Sequence, residues 1–192
     1  MRLTNEFTIT TAPDRAYELL LDLRGVAPCI PGGEIGEADT EGVYPGRVSV
    51  TLGPMKFVYD GSVRISERDR VARTAVIAGE GRAFDGADTA KIRTFIEVSP
   101  DGDGSRVRMT TDLDIKGRAA RLGEGLIADV STHLIKQAAA CLESRLAAPD
   151  GANHDGLPSS GPVGGISLGA SLLTSKVGHA VRRLGRSGGD PT

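Results

Sequence analysis

Tryptophan is absent from the sequence, and aromatic residues make up 4% of its 192 residues. Protein interiors are normally close-packed, and aromatic rings supply much of the buried bulk. A core built almost entirely from aliphatic side chains is therefore compatible with an internal hollow, although composition alone does not require one.

Cysteine is also scarce, with two residues, Cys29 and Cys141. They lie far apart in the chain and belong to no CxxC or Cys/His ligand pattern, so neither a disulfide framework nor a structural zinc site is expected. Cys29 is predicted to be a small buried hydrophobe rather than a reactive thiol. A reducing cytoplasm suits such a chain.

Neither sign of charge dominates, since the net charge is -2 and the pI is about 5.9. Binding to a phosphate backbone requires a surplus of Lys and Arg, so nucleic-acid binding by the whole chain is not expected. The sequence has no uninterrupted run of about 18 apolar residues, and its first residues carry charges where a signal peptide needs an apolar stretch. We expect a protein that is neither exported by such a signal nor membrane-spanning.

Alternating apolar and polar residues dominate the region 43–115. Runs with a period of two, separated by turns such as Gly53-Pro54 and 100–104, predict an antiparallel meander. One parity is apolar and the other is rich in charge, so the sheet is predicted to have one apolar and one charged face. Residues 3–9 alternate in the same way and predict a further strand.

After Gly117 the apolar spacing lengthens to three and four residues, from Leu122 to Leu146, which predicts one long amphipathic helix. A curved sheet and a helix with one apolar face each bury those faces by packing together. The predicted fold class is α+β, with a curved antiparallel sheet wrapped around one long C-terminal helix. Because one helix cannot cover a broad sheet, an apolar cavity between them is expected.

The candidate ligand-binding residues share the inward parity of the strands or the apolar stripe of the helix. From the residues alone they could form either plain core or the wall of a cavity. The hydroxyl groups among them could bond to a ligand carbonyl or hydroxyl, or to neighbouring backbone. The set is Val48, Val50, Phe57, Tyr59, Val63, Ile92, Thr94, Ile96, Met109, Thr111, Leu113, Ile127, Val130 and Leu134.

No catalytic residue, metal ligand or cofactor site is predicted. His133, His154 and His179 lack an acidic or cysteine partner at a metal-ligand or triad spacing. Asp112 and Asp114 are paired carboxylates, but strand parity places them on the charged outer face.

A linker rich in Gly, Pro, Ser and Asp, residues 147–165, follows the predicted domain, residues 1–146. Residues 166–186 again show a helical period and carry four basic and no acidic side chains, which is typical of a helix at a membrane surface. The alternative is a disordered end, as predicted for 187–192. The residues predicted to contact the membrane are Ile166, Leu173, Lys176, Val177, Val181, Arg182, Arg183 and Leu184.

Several separated motifs resemble the CoxG family of carbon monoxide dehydrogenase subunits, within the SRPBCC/START helix-grip superfamily. The resemblance spans roughly residues 2–146 and implies a helix-grip fold with a hydrophobic cavity and no known catalytic residues. It also implies an accessory role beside an aerobic CO dehydrogenase or a related molybdenum hydroxylase. The motifs are PCIPG at 28–32, GRV at 46–48, LGP at 52–54, YDG at 59–61, GRAA at 117–120, LG at 122–123 and GLI at 125–127.

Together with the tail, the resemblance implies a non-catalytic carrier at the inner face of the cell membrane. Its ligand would be a quinone-like lipid such as menaquinone that serves the enzyme in electron transfer, since burying an isoprenoid chain contributes roughly 0.8 kcal/mol per CH₂. One alternative is a membrane-recruitment or assembly factor with an incidental cavity. Another is a cyclase- or dehydratase-type enzyme on the same fold, for which Tyr59 and, with suitable strand phasing, Glu80 are the titratable candidates.

Removing the tail tests where the membrane contact lies. Residues 1–146 hold 19 basic residues against 22 acidic ones, so an anionic surface should repel them. A chain ending at Leu146, or the full chain with Leu173→Glu, should stay folded but lose co-sedimentation with anionic liposomes. High salt should weaken binding of the full chain only in part, because salt screens charge but not aliphatic burial. Equal sedimentation of the truncated and full chains would contradict a membrane role for the tail.

Overall fold

The structure is a computed structural model, and it describes residues 1–52, 54–84 and 86–147. The predicted linker and the predicted membrane segment, with all eight of its named residues, lie outside the described residues. They therefore stay predictions. Within the described residues, no helix is long and apolar enough to cross a membrane.

The described chain forms an antiparallel sheet and helices, which confirms the predicted α+β class. Two 3₁₀ turns, Ala27–Cys29 and Ala119–Leu122, precede β2 and α3 respectively. The strands are β1 (Arg2–Ile9), β2 (Gly33–Ile35), β3 (Tyr44–Leu52), β4 (Met55–Asp69), β5 (Thr74–Ala83), β6 (Thr89–Asp101) and β7 (Gly104–Lys116), and the helices are α1 (Pro13–Leu21), α2 (Leu23–Val26) and α3 (Glu124–Ala147).

The seven strands pair in the order β1-β7-β6-β5-β4-β3-β2, so the predicted meander runs from β3 to β7 and β1 closes onto β7. The sequence did not predict β2, because three residues are too few to show an alternation. Asp112 lies on the outer face, as predicted, where Arg2 Nε donates to its carboxylate at 2.8 Å.

The two ends of the sheet differ in what covers them. At the hairpin end lie the β3–β4 and β5–β6 turns, the end of β7 and the start of α3. At the α1 end lie the β4–β5 and β6–β7 turns, with α1 and the C-terminal part of α3 packed over the sheet. The close-packed core is at the α1 end and consists of Ile9, Ala16, Tyr17, Leu20, Cys29, Ala75, Ile96, Val98, Val107 and Leu142.

The expectation of unpaired cysteines is wrong, because Cys29 and Cys141 form a disulfide with a Cα–Cα distance of 5.4 Å. Cys29 is buried, as predicted, but it is bonded rather than a free small hydrophobe. The spacing in the chain could not reveal this, because the fold brings the 3₁₀ turn at Ala27–Cys29 against the last turns of α3. The bond also removes the argument for a reducing compartment that the cysteines had supplied.

A buried carboxylate fastens the hairpin end. Asp88 is fully buried and accepts hydrogen bonds from the guanidinium of Arg118, from the Arg118 backbone N–H and from the Ala119 backbone N–H. Gly117 precedes this contact with φ +92°, and a Cβ there would collide with the Ala87 carbonyl and the Asp88 carboxylate. The glycine thus lets the chain turn tightly enough for Arg118 to reach Asp88.

The pKa of Asp88 reflects two opposing effects. Burial acts to raise it, but the hydrogen bonds from Arg118 and Ala119 outweigh burial and hold the pKa of Asp88 below its ordinary value. A carboxyl group whose pKa is lowered by folding stabilises the protein above its unfolded pKa of about 3.9. That contribution is lost as the pH falls through the lower, folded-state pKa.

Asp88→Asn should lower the free energy of unfolding at pH 7 by about 2 kcal/mol, because it removes charge-assisted hydrogen bonds from a buried acceptor. The difference from the natural protein should shrink in acid, as Asp88 becomes protonated. Urea unfolding over a series of pH values measures both effects. Asp112→Asn is the matched control, and it should cost much less because its ion pair is exposed. Equal losses in both variants would contradict the role given to Asp88.

Candidate ligand-binding cavity

An apolar cavity of about 470 Å³ lies between α3 and the concave face of the sheet. It separates the core at the α1 end from a second cluster at the hairpin end, formed by Leu52, Phe57, Tyr59 and Ala119. Ile92 faces inward yet is 37% exposed, so the cavity is open to solvent. The predicted residues that line it are Val48, Val50, Phe57, Tyr59, Val63, Ile92, Thr94, Met109, Thr111, Leu113, Ile127, Val130 and Leu134.

Ile96 is the exception among the predicted residues. Its parity is inward, as expected, but it is 2% exposed and belongs to the close-packed core at the α1 end. At that level α1 and α3 both cover the sheet, so no space is left beside the side chain. Thr94, two residues earlier on the same strand face, lies where the cavity begins.

A row of small residues crosses the concave face and deepens the cavity. The strand register places Gly46 opposite Gly61, Gly61 opposite Gly81 and Gly81 opposite Ala90. These positions share the inward parity of Tyr59 and Val48, one pair further along the strands. Four neighbouring strands therefore present almost bare backbone to the cavity, where larger side chains would have filled it.

Gly61 has a second role, in the curvature of the sheet. A Cβ at this position would collide with the backbone carbonyl of Glu80 on the neighbouring strand. Only glycine permits β4 and β5 to approach so closely here. The same residue thus allows the sheet to curl and leaves space beneath the curl.

The tyrosine hydroxyl is the main polar group with no partner in the cavity. Phe57 and Tyr59 lie on one face of β4, with parallel rings whose centroids are 6.4 Å apart. The Tyr59 hydroxyl is buried and has no hydrogen-bond partner among the described residues. Burial, followed by the nearby Asp88 carboxylate, raises the pKa of Tyr59, so the hydroxyl keeps its proton at neutral pH and can donate it.

Two other hydroxyl pairs on the wall have partners. The Thr94 and Thr111 hydroxyls lie 2.9 Å apart across β6 and β7, so they bond to each other rather than to backbone. On α3, Ser131 accepts a hydrogen bond of 3.1 Å from the Asn5 side chain, which ties the helix to β1. These pairs leave Tyr59 as the donor best placed for an incoming ligand.

Several wall residues were not singled out from the sequence. Gly79 and Gly81 occupy the inward positions of β5, so Glu80 points outward, where its carboxylate lies 3.6 Å from the Lys91 ammonium. This phasing removes Glu80 from the titratable groups considered for an enzyme. Inward parity could have indicated Ala90 and Ile115, whereas no pattern pointed to the wall residues around β2, which are Ala27, Ile30, Gly33 and Ile35.

The titratable side chains do not gather into a metal site. Within the described ranges, no three His, Cys, Asp or Glu side chains come together as a metal ion would require. His133 lies on the exposed side of α3, with its Nε2 3.1 Å from the Gln137 side-chain nitrogen. The arrangement can enclose an apolar molecule and offer it one hydroxyl donor.

Val130→Trp distinguishes a cavity from a packed core. The larger ring should enter the cavity, abolish uptake of an apolar fluorescent probe and leave the free energy of unfolding within about 1.5 kcal/mol. Ile96→Trp is the control, because its site has no free space, and overpacking there should destabilise by roughly 1–3 kcal/mol or more. Equal destabilisation by both substitutions, with no probe uptake by the natural protein, would mean that the Val130 site is ordinary core.

Solved structures with the same architecture are numerous but distant in sequence. A conserved protein from Geobacillus kaustophilus has a TM-score of 0.67 at 15% identity, covering 77% of this chain and 95% of its own. An aromatase/cyclase, Zhui, from Streptomyces sp. R1128 has a TM-score of 0.56 at 16% identity, covering 77% and 96%. Ara h 8.0201 has a TM-score of 0.52 at 16% identity, covering 76% and 97%. At such identities the likeness establishes the helix-grip fold alone.

No curated protein matches the chain significantly. In contrast, residues 6–147 match the family described as CoxG, a component of carbon monoxide dehydrogenase. The match spans nearly all of the folded part and most of the whole chain, and the fold agrees with the one that the sequence motifs implied. The chain belongs to the CoxG family of carbon monoxide dehydrogenase subunits.

Proposed function

We propose that this protein is a non-catalytic carrier of an apolar, carbonyl-bearing ligand, a respiratory quinone such as menaquinone. Family and fold together suggest a ligand-binding accessory protein. The quinone, the membrane and the enzyme partner are the further steps proposed here. The partner would be an aerobic CO dehydrogenase or a related molybdenum hydroxylase, and the carrier would be peripheral at the inner face of the cell membrane.

The observation that carries the proposal is the unpartnered Tyr59 hydroxyl in an apolar cavity. A buried donor without a partner costs free energy that a bound carbonyl oxygen would recover. Apolar pockets with a few placed polar groups are typical of small-molecule sites. A quinone matches both properties, since its carbonyl groups accept hydrogen bonds and its isoprenoid chain is apolar.

The remaining wall favours binding over chemistry. Aliphatic side chains and glycines dominate it, and the inward threonines already bond to each other. General acid–base catalysis would need a titratable group with a pKa near the working pH. Because the pKa of Tyr59 is raised further above neutrality, that hydroxyl is suited to donating a hydrogen bond and unsuited to acting as a base.

Tyr59→Phe should weaken binding of a short-chain menaquinone by about 0.5–1.5 kcal/mol, the usual contribution of one neutral hydrogen bond. The ligand-free variant should be no less stable than the natural protein, because the deleted hydroxyl has no partner to lose. Ligand titration and thermal unfolding measure the two effects. Tyr17→Phe is the matched control, since its hydroxyl donates to the Thr74 carbonyl at 3.0 Å, and it should lose stability.

Three results would separate the candidate functions. Menaquinone retained in lipid extracts of the purified full chain supports the carrier. An empty cavity that takes up no quinone, in a chain that still recruits the hydroxylase to membranes, would favour the assembly factor. A loss of several orders of magnitude in turnover of some substrate on Tyr59→Phe would establish an enzyme instead.

A further inference from the structure

Apolar side chains protrude from the hairpin end of the sheet. Phe84 follows β5 and is 98% exposed, Met55 begins β4 and is 36% exposed, and Leu126 in the first turn of α3 is 37% exposed. A fully exposed phenylalanine is unusual in a chain with four phenylalanines and no tryptophan. We call these three side chains the apolar tip.

The segments that carry the apolar tip are held together. Asp88, beyond Phe84 in the β5–β6 connection, is bonded to Arg118 and Ala119 in front of α3. Leu122, from the same stretch, packs against the cluster containing Leu52 and Phe57, on either side of the β3–β4 turn. The three residues therefore belong to one fixed surface rather than to independent loops.

Charge is distributed unequally between the two ends. At the hairpin end, residues 54–56, 82–88 and 116–126 carry five basic and three acidic side chains, and one of the acids is the buried Asp88. The basic ones are Lys56, Arg82, Lys116, Arg118 and Arg121. At the α1 end, residues 36–43, 69–73 and 101–104 carry six acidic and two basic side chains. The asymmetry would turn the hairpin end toward an anionic surface.

The cavity also reaches the hairpin end. Leu52 and Phe57 from the β3–β4 hairpin, Ile115 from the end of β7 and Ile127 from the first turns of α3 all line it. The apolar tip and the cavity wall are thus carried by the same segments. A ligand dissolved in a bilayer would meet these segments first if the tip were inserted.

We propose that the hairpin end is a bilayer-docking surface. The apolar tip enters the interfacial layer of an anionic membrane, the surrounding basic side chains contact lipid headgroups, and the acidic α1 end points away. The surface orients the cavity, whereas the tail supplies most of the attachment. The inference rests on the proposed membrane association and adds an orientation to it.

The tail and the tip can reach one surface at the same time. Helix α3 has 24 residues, which corresponds to about 36 Å, and it leads away from the hairpin end. The 18 residues 148–165 can extend to at most about 60 Å. That length exceeds the length of the helix, so attachment through residues 166–186 does not prevent the hairpin end from docking.

A single introduced tryptophan tests the orientation in the full chain, because the natural sequence has none. Phe84→Trp places the probe in the apolar tip, and Val71→Trp is the matched control on the β4–β5 turn at the α1 end, where Val71 is 92% exposed. Both are mixed with phosphatidylcholine vesicles that contain phosphatidylglycerol and, in a second set, lipids brominated in the acyl chains. Co-sedimentation is recorded on the same samples.

We expect the emission of Phe84→Trp to shift to the blue and to be quenched by the brominated lipids, while Val71→Trp does neither. Equal responses at both positions, or a response at Val71→Trp alone, would overturn the docking surface. If both variants sediment but Phe84→Trp keeps the emission of a water-exposed ring, the docking surface is wrong and the attachment through the tail still stands. If neither variant sediments, the docking surface and the membrane association both fail.

Discussion

One long helix has to cover the concave face of a seven-stranded sheet, and most of this structure follows from that constraint. At the α1 end, α1 lies beside α3, and together they bury Ile96, Val98 and Val107 in a close-packed core. Toward the hairpin end α3 has no second helix beside it. The space that remains is the cavity, and the glycines at 46, 61 and 81 enlarge it by leaving the strands beneath without side chains.

A helix that spans a hollow cannot rely on packing along its whole length, so it is fastened at separate points. Asp88 binds Arg118 and Ala119 just ahead of α3, Asn5 binds Ser131 near its middle, and Cys29 is bonded to Cys141 near its end. The guanidinium of Arg145 adds a contact to the Gly25 carbonyl beside the disulfide. These contacts fix the helix over the cavity without filling the cavity.

The sequence was sufficient for the elements and for most of the cavity wall, because both depend on local periodicity. A period of two gave the inward faces of β3 to β7, and a period near 3.6 gave Ile127, Val130 and Leu134 on α3. Periodicity fails where the outcome depends on contacts distant in the chain. It assigned Ile96 to the same surface as Thr94, because parity does not tell where α1 will lie. It also could not bring Cys29 to Cys141, or show that the strand phase turns Glu80 outward.

The disulfide also determines how the chain would respond to mechanical force. It closes a covalent ring from residue 29 to residue 141, and strands β2 to β7 all lie inside that ring. Tension between the two ends of the chain would pass from the end of α3 through the two sulfur atoms to α2, α1 and β1. The sheet segments around the cavity would be bypassed. A protein pulled by one end would therefore yield first at β1 and α1, while the strands that enclose the cavity stay paired.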